Sequence, residues 1–420
     1  MDIGERAERM VPLGRKTLFE DLPRFLVAQA GVAFAVALIA IQTGIFIGFV
    51  KSAGLPVDES TADVWVAAKD MLYFELAAPI AYENVDKARH VHGVARAEAL
   101  FLKTSAWRGP AHKIEYIRVI GFDPCGELFV PGPIGRADLA KLQFADTVIV
   151  DAGNLKALNI AGIGGYGKIG QHNARVIALT RGTQPIISAT FIYTSLANAK
   201  AYFAPATPPP SDLAAPLNPR YAAIWLAIHA RTSGQSAQAL DPSDDISYVL
   251  VRAKPGVDLA DLKHRLDSAL AGTSSYTKQE MADRTRSYWR KRTGIGFLLG
   301  LVATVGFVVG MTVVGQILYT SVAEHIKEYG TLRAMGAPDS LFYRIVTEQA
   351  VLMALLGFVP GIVLSVWVSW WAHAQRNILI LITPASAAVV LAVIVVMCVV
   401  SGIFAVQRAL RVDPAIVFKA

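Results

Sequence analysis

Residues 277–356, TKQEMADRTRSYWRKRTGIGFLLGLVATVGFVVGMTVVGQILYTSVAEHIKEYGTLRAMGAPDSLFYRIVTEQAVLMALL, decide the fold. The stretch opens with Thr277-Lys278-Gln279-Glu280, a capping-box pattern that satisfies unpaired N–H groups at a helix start. No proline follows before Pro338, so the pattern predicts one helix from Thr277 to beyond Tyr319, a rod of about 60 Å at about 1.5 Å per residue. Its first third is polar and charged, whereas residues 295–319 are apolar apart from Thr304, Thr312 and Gln316. Half of the rod belongs in water and half in a bilayer. A short amphipathic segment, residues 324–337, follows before the chain becomes apolar again.

The rest of the chain fits a membrane protein. Hydrophobic residues make up 54% and charged residues 17%, and the mean hydropathy is +0.42. Four uncharged stretches are long enough to span a hydrocarbon core: 25–50, 295–319, 350–371 and 385–406. The expected fold is therefore a multi-pass α-helical membrane protein with four transmembrane helices. An α+β domain, residues 51–276, is inserted between the first two. The remaining divisions are a tail at 1–24, a stalk helix at 277–294, a connecting segment at 320–344, a third helix over 345–372 and a tail at 407–420. Residues 18–25 read as an interfacial amphipathic segment. The first apolar run is too long for a cleavable leader and lacks a small-x-small site, so it reads as a retained helix. The net charge is +7, but the basic residues are scattered or flank spans, which suits lipid headgroups rather than nucleic acid. Cys398 lies inside the fourth span and Cys125 in the inserted domain, so they cannot pair.

Charge sets the expected orientation. Arg6, Arg9, Arg15, Lys16 and Arg24, then Lys327, Arg333 and Arg344, then Arg408, Arg411 and Lys419 all fall on one side, against Arg376 alone in the short opposite loop. The positive-inside rule puts both chain ends in the cytosol and the large domain outside. Arg286, Arg290, Lys291 and Arg292 run against this, but large domains translocate largely regardless of charge.

Within the inserted domain, residues 63–67, 114–120, 147–150, 175–179 and 246–251 read as strands, rich in β-branched and aromatic side chains. Residues 258–270 read as a helix with Asp258 as N-cap and a stripe of Leu259, Leu262, Leu266 and Leu270. Residues 204–244 form a proline-rich insertion, functional or merely mobile, in which 222–230 have the composition of a short helix. Gly357, Pro360 and Gly361 interrupt the third span and read as a hinge packed against a neighbour. Glu348, at the mouth of that span, reads as a helix-start anion rather than a proton site.

Catalytic chemistry is not apparent. Gly162-Ile163-Gly164-Gly165-Tyr166-Gly167-Lys168-Ile169 matches G-x-G-x-x-G and nearly matches a phosphate loop, but both need a helix directly afterwards. Here the chain leads into the strand at 175–179, and Ile169 replaces the magnesium-binding hydroxyl, so a glycine turn is expected. His90 and His92 have no second ligand pair and read as a connector. No nucleophile motif appears, so the chain is expected to be non-catalytic with no cofactor or metal of its own. The informative stretch runs through Glu328, Tyr329, Gly330, Thr331, Leu332, Arg333, Ala334, Met335 and Gly336 to Pro338. It is either a two-turn connector or a helix inserting into a groove on a cytosolic partner, with Leu332 and Met335 as apolar anchors.

These residues carry a resemblance. With Tyr288-Trp289, Gly294-Ile295-Gly296-Phe297, Gly306–Gly310 in the numbering 306–310, Glu348-Gln349-Ala350, Gly357-Phe358-Val359-Pro360-Gly361 and Asp413-Pro414-Ala415, the chain resembles permease subunits of the MacB/FtsX-like superfamily. It is most similar to DevC-type permeases known from heterocyst glycolipid export. The likeness is good over 277–420 and weaker over 20–200, and 204–244 looks like an insertion. The resemblance implies a homodimer in the bacterial inner membrane, with a periplasmic domain between the first two spans. A separate ABC ATPase, which would hold the ATP and magnesium, would dock on Glu328, Tyr329, Gly330, Leu332, Arg333, Ala334, Met335 and Gly336. A periplasmic membrane-fusion adaptor and a TolC-like outer-membrane channel would complete a tripartite exporter of a lipid-like or other hydrophobic substrate. Two other functions follow from the same superfamily: an FtsX-type signalling permease controlling an extracellular enzyme, and a LolC-type lipoprotein-release permease.

Overall fold

The computed structural model describes residues 22–110, 113–186, 188–204, 240–292, 294–324, 338–376 and 380–410. Contacts divide the chain into an inserted unit, Phe49–Arg292, and a membrane unit drawn from Met1–Gly48 and Thr293–Ala420. Helix α1 (Leu22–Ala53) carries the first span and ends in the inserted unit.

The inserted unit contains β1 (Val64–Ala68), β2 (Ile80–Ala81), α2 (Glu83–Arg89), β3 (Val94–Arg108), β4 (Ile114–Phe122), β5 (Thr147–Asp151), β6 (Tyr166–Ile169) and β7 (His172–Thr180). It continues with β8 (Thr190–Ser195), α3 (Leu196–Phe203), β9 (Asp245–Ile246), β10 (Tyr248–Ala253), α4 (Leu259–Ala269), β11 (Thr273–Thr277) and α5 (Lys278–Arg292). Nine strands form one sheet in the order β11-β1-β10-β3-β4-β8-β5-β7-β6, and β2 pairs with β9.

In the first half of this sheet the units β1–α2–β3 and β10–α4–β11 interleave, a split β-α-β arrangement. Alternate residues face opposite ways, as strand geometry requires. Val64, Val66, Val249 and Val251 pack with Leu262, Leu266 and Leu270 of α4, whereas Trp65, Tyr248 and Leu250 join a second core. Burial on both faces explains why these strands are apolar throughout. Asp258 caps α4 by accepting from the Ala260 N–H at 3.3 Å. In the second half β6 pairs with both β7 and β3, so the ring β3-β4-β8-β5-β7-β6 closes on itself. Trp107, Ile117, Val148, Ile169, Val176 and Ile192 share its core.

The glycine-rich motif is absorbed by this closure. Gly164 N–H donates to the Val176 carbonyl at 2.7 Å, and the chain continues as β6, a strand and not a helix. Gly167 lies against the indole of Trp107, where a Cβ would fall 2.3 Å from a ring carbon. The glycine therefore serves packing, and no row of helix N–H groups exists there to meet phosphate.

The membrane unit completes the fold with α6 (Ile295–Glu324), α7 (Asp339–Arg376) and α8 (Pro384–Leu410). The four candidate spans are Phe25–Ala53, Gly296–Glu324, Ser340–Ala372 and Pro384–Gln407. Val32, Val36, Val314, Met353, Ile394 and Met397 from all four helices share a core. Half of the most apolar window of the first span is buried, against 17% for the second, and α8 packs along both α6 and α7. Ser401 Oγ donates to the Met311 carbonyl at 2.9 Å, tying α8 to α6. Exposed Trp367, Trp370 and Trp371 near the end of α7 suit an aromatic belt at a lipid–water boundary.

The single rod from Thr277 past Tyr319 is not what forms. Helix α5 stops at Arg292 and α6 starts at Ile295. Gly294 lies between them, and its carbonyl accepts the Leu298 N–H at 2.9 Å as the first bond of the new helix.

Gly167→Ala should destabilise the full chain by about 1–3 kcal/mol, the usual cost of overpacking, whereas Lys168→Ala should leave stability unchanged. Thermal unfolding in detergent, with and without phosphate, checks both, and a phosphate-binding loop would reverse the order of sensitivity.

Candidate functional site

The residues best placed to do work form a collar around α5, the helix that leads towards the second span. Its start is fixed reciprocally: Thr277 N–H donates to Glu280 Oε2 at 2.8 Å, and Glu280 N–H donates to Thr277 Oγ1 at 3.2 Å. Lys263 of α4 adds an ion pair to Glu280 at 2.5 Å, and the Glu280 carboxyl is held below its ordinary range by its hydrogen bonds from Lys263 and Thr277, against some desolvation. Lys278 Nζ donates to the Ser60 carbonyl at 2.7 Å.

One turn on, α5 enters the core of the inserted unit. Met281 and Ala282 are buried with Trp65, Phe74, Leu100 and Phe122. Thr285 Oγ1 donates to the Met281 carbonyl at 3.0 Å and accepts the Phe74 N–H at 3.2 Å. Arg284 reaches the opposite way, donating to the carbonyls of Met71 at 2.9 Å and Leu72 at 3.3 Å. Arg286 bridges Asp283 at 2.9 Å and Asp58, which lies in a helical turn just beyond α1. Tyr288 stacks on Tyr73 with centroids 4.0 Å apart at 11°, and Trp289 meets the same ring edge-on at 5.6 Å. Glu75, next along this loop, is nearly buried and pairs with Arg118 of β4 at 3.1 Å. Burial raises its carboxyl, and the Arg118 charge opposes the rise.

The collar therefore gathers the exit of α1, the loop at 71–76 and α5 into one packed assembly. Its chemistry is mechanical. Buried apolar contacts and paired polar groups hold α5 at a fixed angle to the sheet, so displacement of one moves the other. Beside it, Glu59 is exposed as a residue, but partial desolvation of its carboxyl and the nearby charges of Asp151 and Asp58 push it up to about 7.

The residues expected to bind an ATPase, Glu328, Tyr329, Gly330, Leu332, Arg333, Ala334, Met335 and Gly336, lie outside the described residues. Gly357, Pro360 and Gly361 lie within α7, which runs unbroken through the proline. Gly357 and Gly361 face α1, where added Cβ atoms would come 2.5 Å from Val32 and 2.6 Å from Val36, while Pro360 is exposed on the other side. His90 Nδ1 bonds the Asp86 carbonyl at 2.7 Å, and His92 Nδ1 meets Arg265 at 3.0 Å. Sequence patterns did not point to Tyr73, Asp58 or Arg118; only Tyr288-Trp289 stood out, and their partner is some two hundred positions away in the chain.

Residues 300–414, most of α6 together with α7 and α8, match the family FtsX-like permease C-terminal. The chain is homologous to ABC transporter permeases, including MacB. An uncharacterized ABC transporter permease of Mycobacterium tuberculosis is 29% identical over 119 residues, 28% of this chain and 33% of that one. The macrolide export ATP-binding/permease protein MacB of Escherichia coli is 28% identical over 153 residues, 35% of this chain and 22% of that one. The chain thus spans a third or less of the length of these curated relatives. Among solved structures, the periplasmic region of MacB from Actinobacillus actinomycetemcomitans is similar at 10% identity and a TM-score of 0.31, covering 56% of this chain and 95% of that one. The extracellular domain of the transporter YknZ from Gram-positive bacteria is similar at 14% identity and a TM-score of 0.31, covering 51% of this chain and 98% of that one.

Tyr73→Ala and Tyr288→Ala, made singly and together, should show a coupling of about 1 kcal/mol in the unfolding of the full chain. Additive effects would mean that the two rings do not act as a pair. The raised Glu59 carboxyl has a signed consequence. It binds its proton more tightly folded than unfolded, so the stability it contributes is complete below about 4.5 and is lost as pH rises through about 7. Unfolding midpoints across that range should fall more steeply in the parent chain than in Glu59→Gln.

Proposed function

We propose that this chain is the non-catalytic permease subunit of a tripartite ABC exporter in a bacterial inner membrane. The observation that carries the proposal is the collar: α5 is built into the core of the inserted domain and leads, through Gly294, to an FtsX-like permease domain. ATP and magnesium bind on a separate ATPase subunit, which docks on residues 328–336 from the cytosol, where both chain ends also lie. Closure of the ATPase pair displaces the second span, and α5 passes that displacement to the inserted domain in the periplasm. The moving domain then drives a lipid-like or other hydrophobic cargo through a membrane-fusion adaptor and a TolC-like channel.

Two further features support the scheme. The face of α6 bearing Gly300, Thr304, Val308 and Thr312 is exposed at four-residue spacing, the small-residue pattern by which helices approach closely in lipid. It suits a homodimer in which the two second spans meet. Gly357, Pro360 and Gly361 combine close packing on α1 with a missing backbone hydrogen bond, which suits a hinge in α7.

Leu332→Asp and Met335→Asp should each abolish co-purification of the ATPase from native membranes while leaving membrane insertion intact. Identification of every co-purifying subunit tests the rest. An adaptor supports export, a cell-wall hydrolase without one would support FtsX-type signalling, and undiminished ATPase capture by both variants would refute the docking segment.

A further inference from the structure

The collar has an outward rim that its internal packing does not explain. Two chain crossings locate it. Ser52 is in the last turn of α1, at the end of the span Phe25–Ala53, and its Oγ accepts the Ile186 N–H at 3.4 Å. Tyr288 and Trp289 lie a few residues before the span Gly296–Glu324, and both pack on Tyr73. The loops around Tyr73 and Ile186 are therefore tied directly to residues that end the first span or come shortly before the second.

These loops carry apolar side chains outwards. Leu72 is 50% exposed, Leu76 52% and Ile186 42%. The turn holding the first two is tight, with Leu76 N–H donating to the Tyr73 carbonyl at 2.9 Å and Leu72 N–H to the Leu76 carbonyl at 3.2 Å. It has been built to present them. Isolated exposed leucines are ordinary on a soluble surface, but these three accompany Tyr73, Tyr288 and Trp289, the residue types that settle at lipid–water boundaries.

Charge supplies the second observation. Arg284 and Arg286 are engaged inside the collar, but Arg290, Lys291 and Arg292, in the last turn of α5, are exposed and make no hydrogen bond or ion pair among the described residues. Arg292 lies close enough to Tyr73 for its charge to act on the phenol. Three exposed cations thus lie within a few residues of a span, placed to meet anionic headgroups.

We propose that this rim is a lipid-binding surface. Leu72, Leu76 and Ile186 enter the boundary between headgroups and acyl chains of the adjoining leaflet, and Arg290, Lys291 and Arg292 hold anionic phospholipid headgroups. Long basic side chains suit that placement, with their methylene stems on apolar surface and their charges at phosphate level. Anionic lipid is favoured over a second copy of this chain, because a second copy would bring an identical set of free cations.

The test uses the full chain in vesicles of phosphatidylcholine, with and without phosphatidylglycerol. In a Cys125→Ser background, Leu76→Cys carries an environment-sensitive fluorophore, and Ser268→Cys on exposed α4 carries the same probe as a reference. Lipid bearing a nitroxide near the headgroup should quench the probe at 76 several-fold more than aqueous iodide does, with the reverse at 268. Phosphatidylglycerol should strengthen the lipid quenching at 76. Added salt should reverse that gain, and the variant R290Q/K291Q/R292Q should lose it while keeping its quenching in phosphatidylcholine. Iodide quenching at 76 equal to that at 268 would overturn the proposal. So would protection of 76 from both quenchers, which would mean that protein covers the rim. A gain that survives both salt and the triple variant would remove the headgroup role of the three cations.

Discussion

Met281 and Ala282 sit in the same core as Trp65, Phe74 and Phe122, so the helix that leads to the second span is an integral layer of the inserted domain. The rest of the architecture depends on that burial. A helix resting on a surface can roll or slide, but one whose side chains fill a close-packed core moves only with that core. The capping box, the bonds of Thr285 and Arg284, the Arg286 bridge and the Tyr73–Tyr288 stack extend the same restraint along three turns. Few of them matter much alone. Arg286 and Asp58 remain partly exposed, and exposed ion pairs contribute little. Together they define one geometry.

The other mechanical fact is the interruption at Gly294. A lever made of one uninterrupted helix would transmit bending as well as translation. Helix α5 ends at Arg292 and α6 begins at Ile295, with Gly294 in a bend before α6. The membrane unit shows a matching economy. Helix α1 accepts Gly357 and Gly361 of α7 at close range, while α8 packs along both α6 and α7.

Legibility in the sequence followed the range of the interactions. The four spans were readable because hydrocarbon imposes a length and a composition that need no partner to recognise. The Thr277–Glu280 box, the Asp258 cap and the leucine stripe of α4 were readable because their partners lie within a turn or two. Strand β3 was not, because Val94–Arg108 carries four alanines and four charged residues, and its extended form comes from pairing with β10, β4 and β6. Strand β8, Thr190–Ser195, carried a β-branched and aromatic signal that would have identified it. Absence of proline suggested a continuous rod, whereas α5 and α6 are separate helices with Gly294 in a bend before α6. The collar itself was out of reach, since Tyr73 and Asp58 meet α5 across more than two hundred residues.

The most direct measurement of the central claim is a distance inside the collar during turnover. Nitroxides at Asp283→Cys on α5 and Asp70→Cys beside the 71–76 loop, in a Cys125→Ser background, report that distance by pulsed electron resonance. The full chain assembled with the proposed ATPase partner would be compared without nucleotide, with ATP trapped and after hydrolysis. A single narrow distribution, unchanged across the three states, is the predicted result. A shift or broadening of several ångströms on ATP binding would mean that α5 moves independently of the inserted domain, and the collar would not be what transmits force.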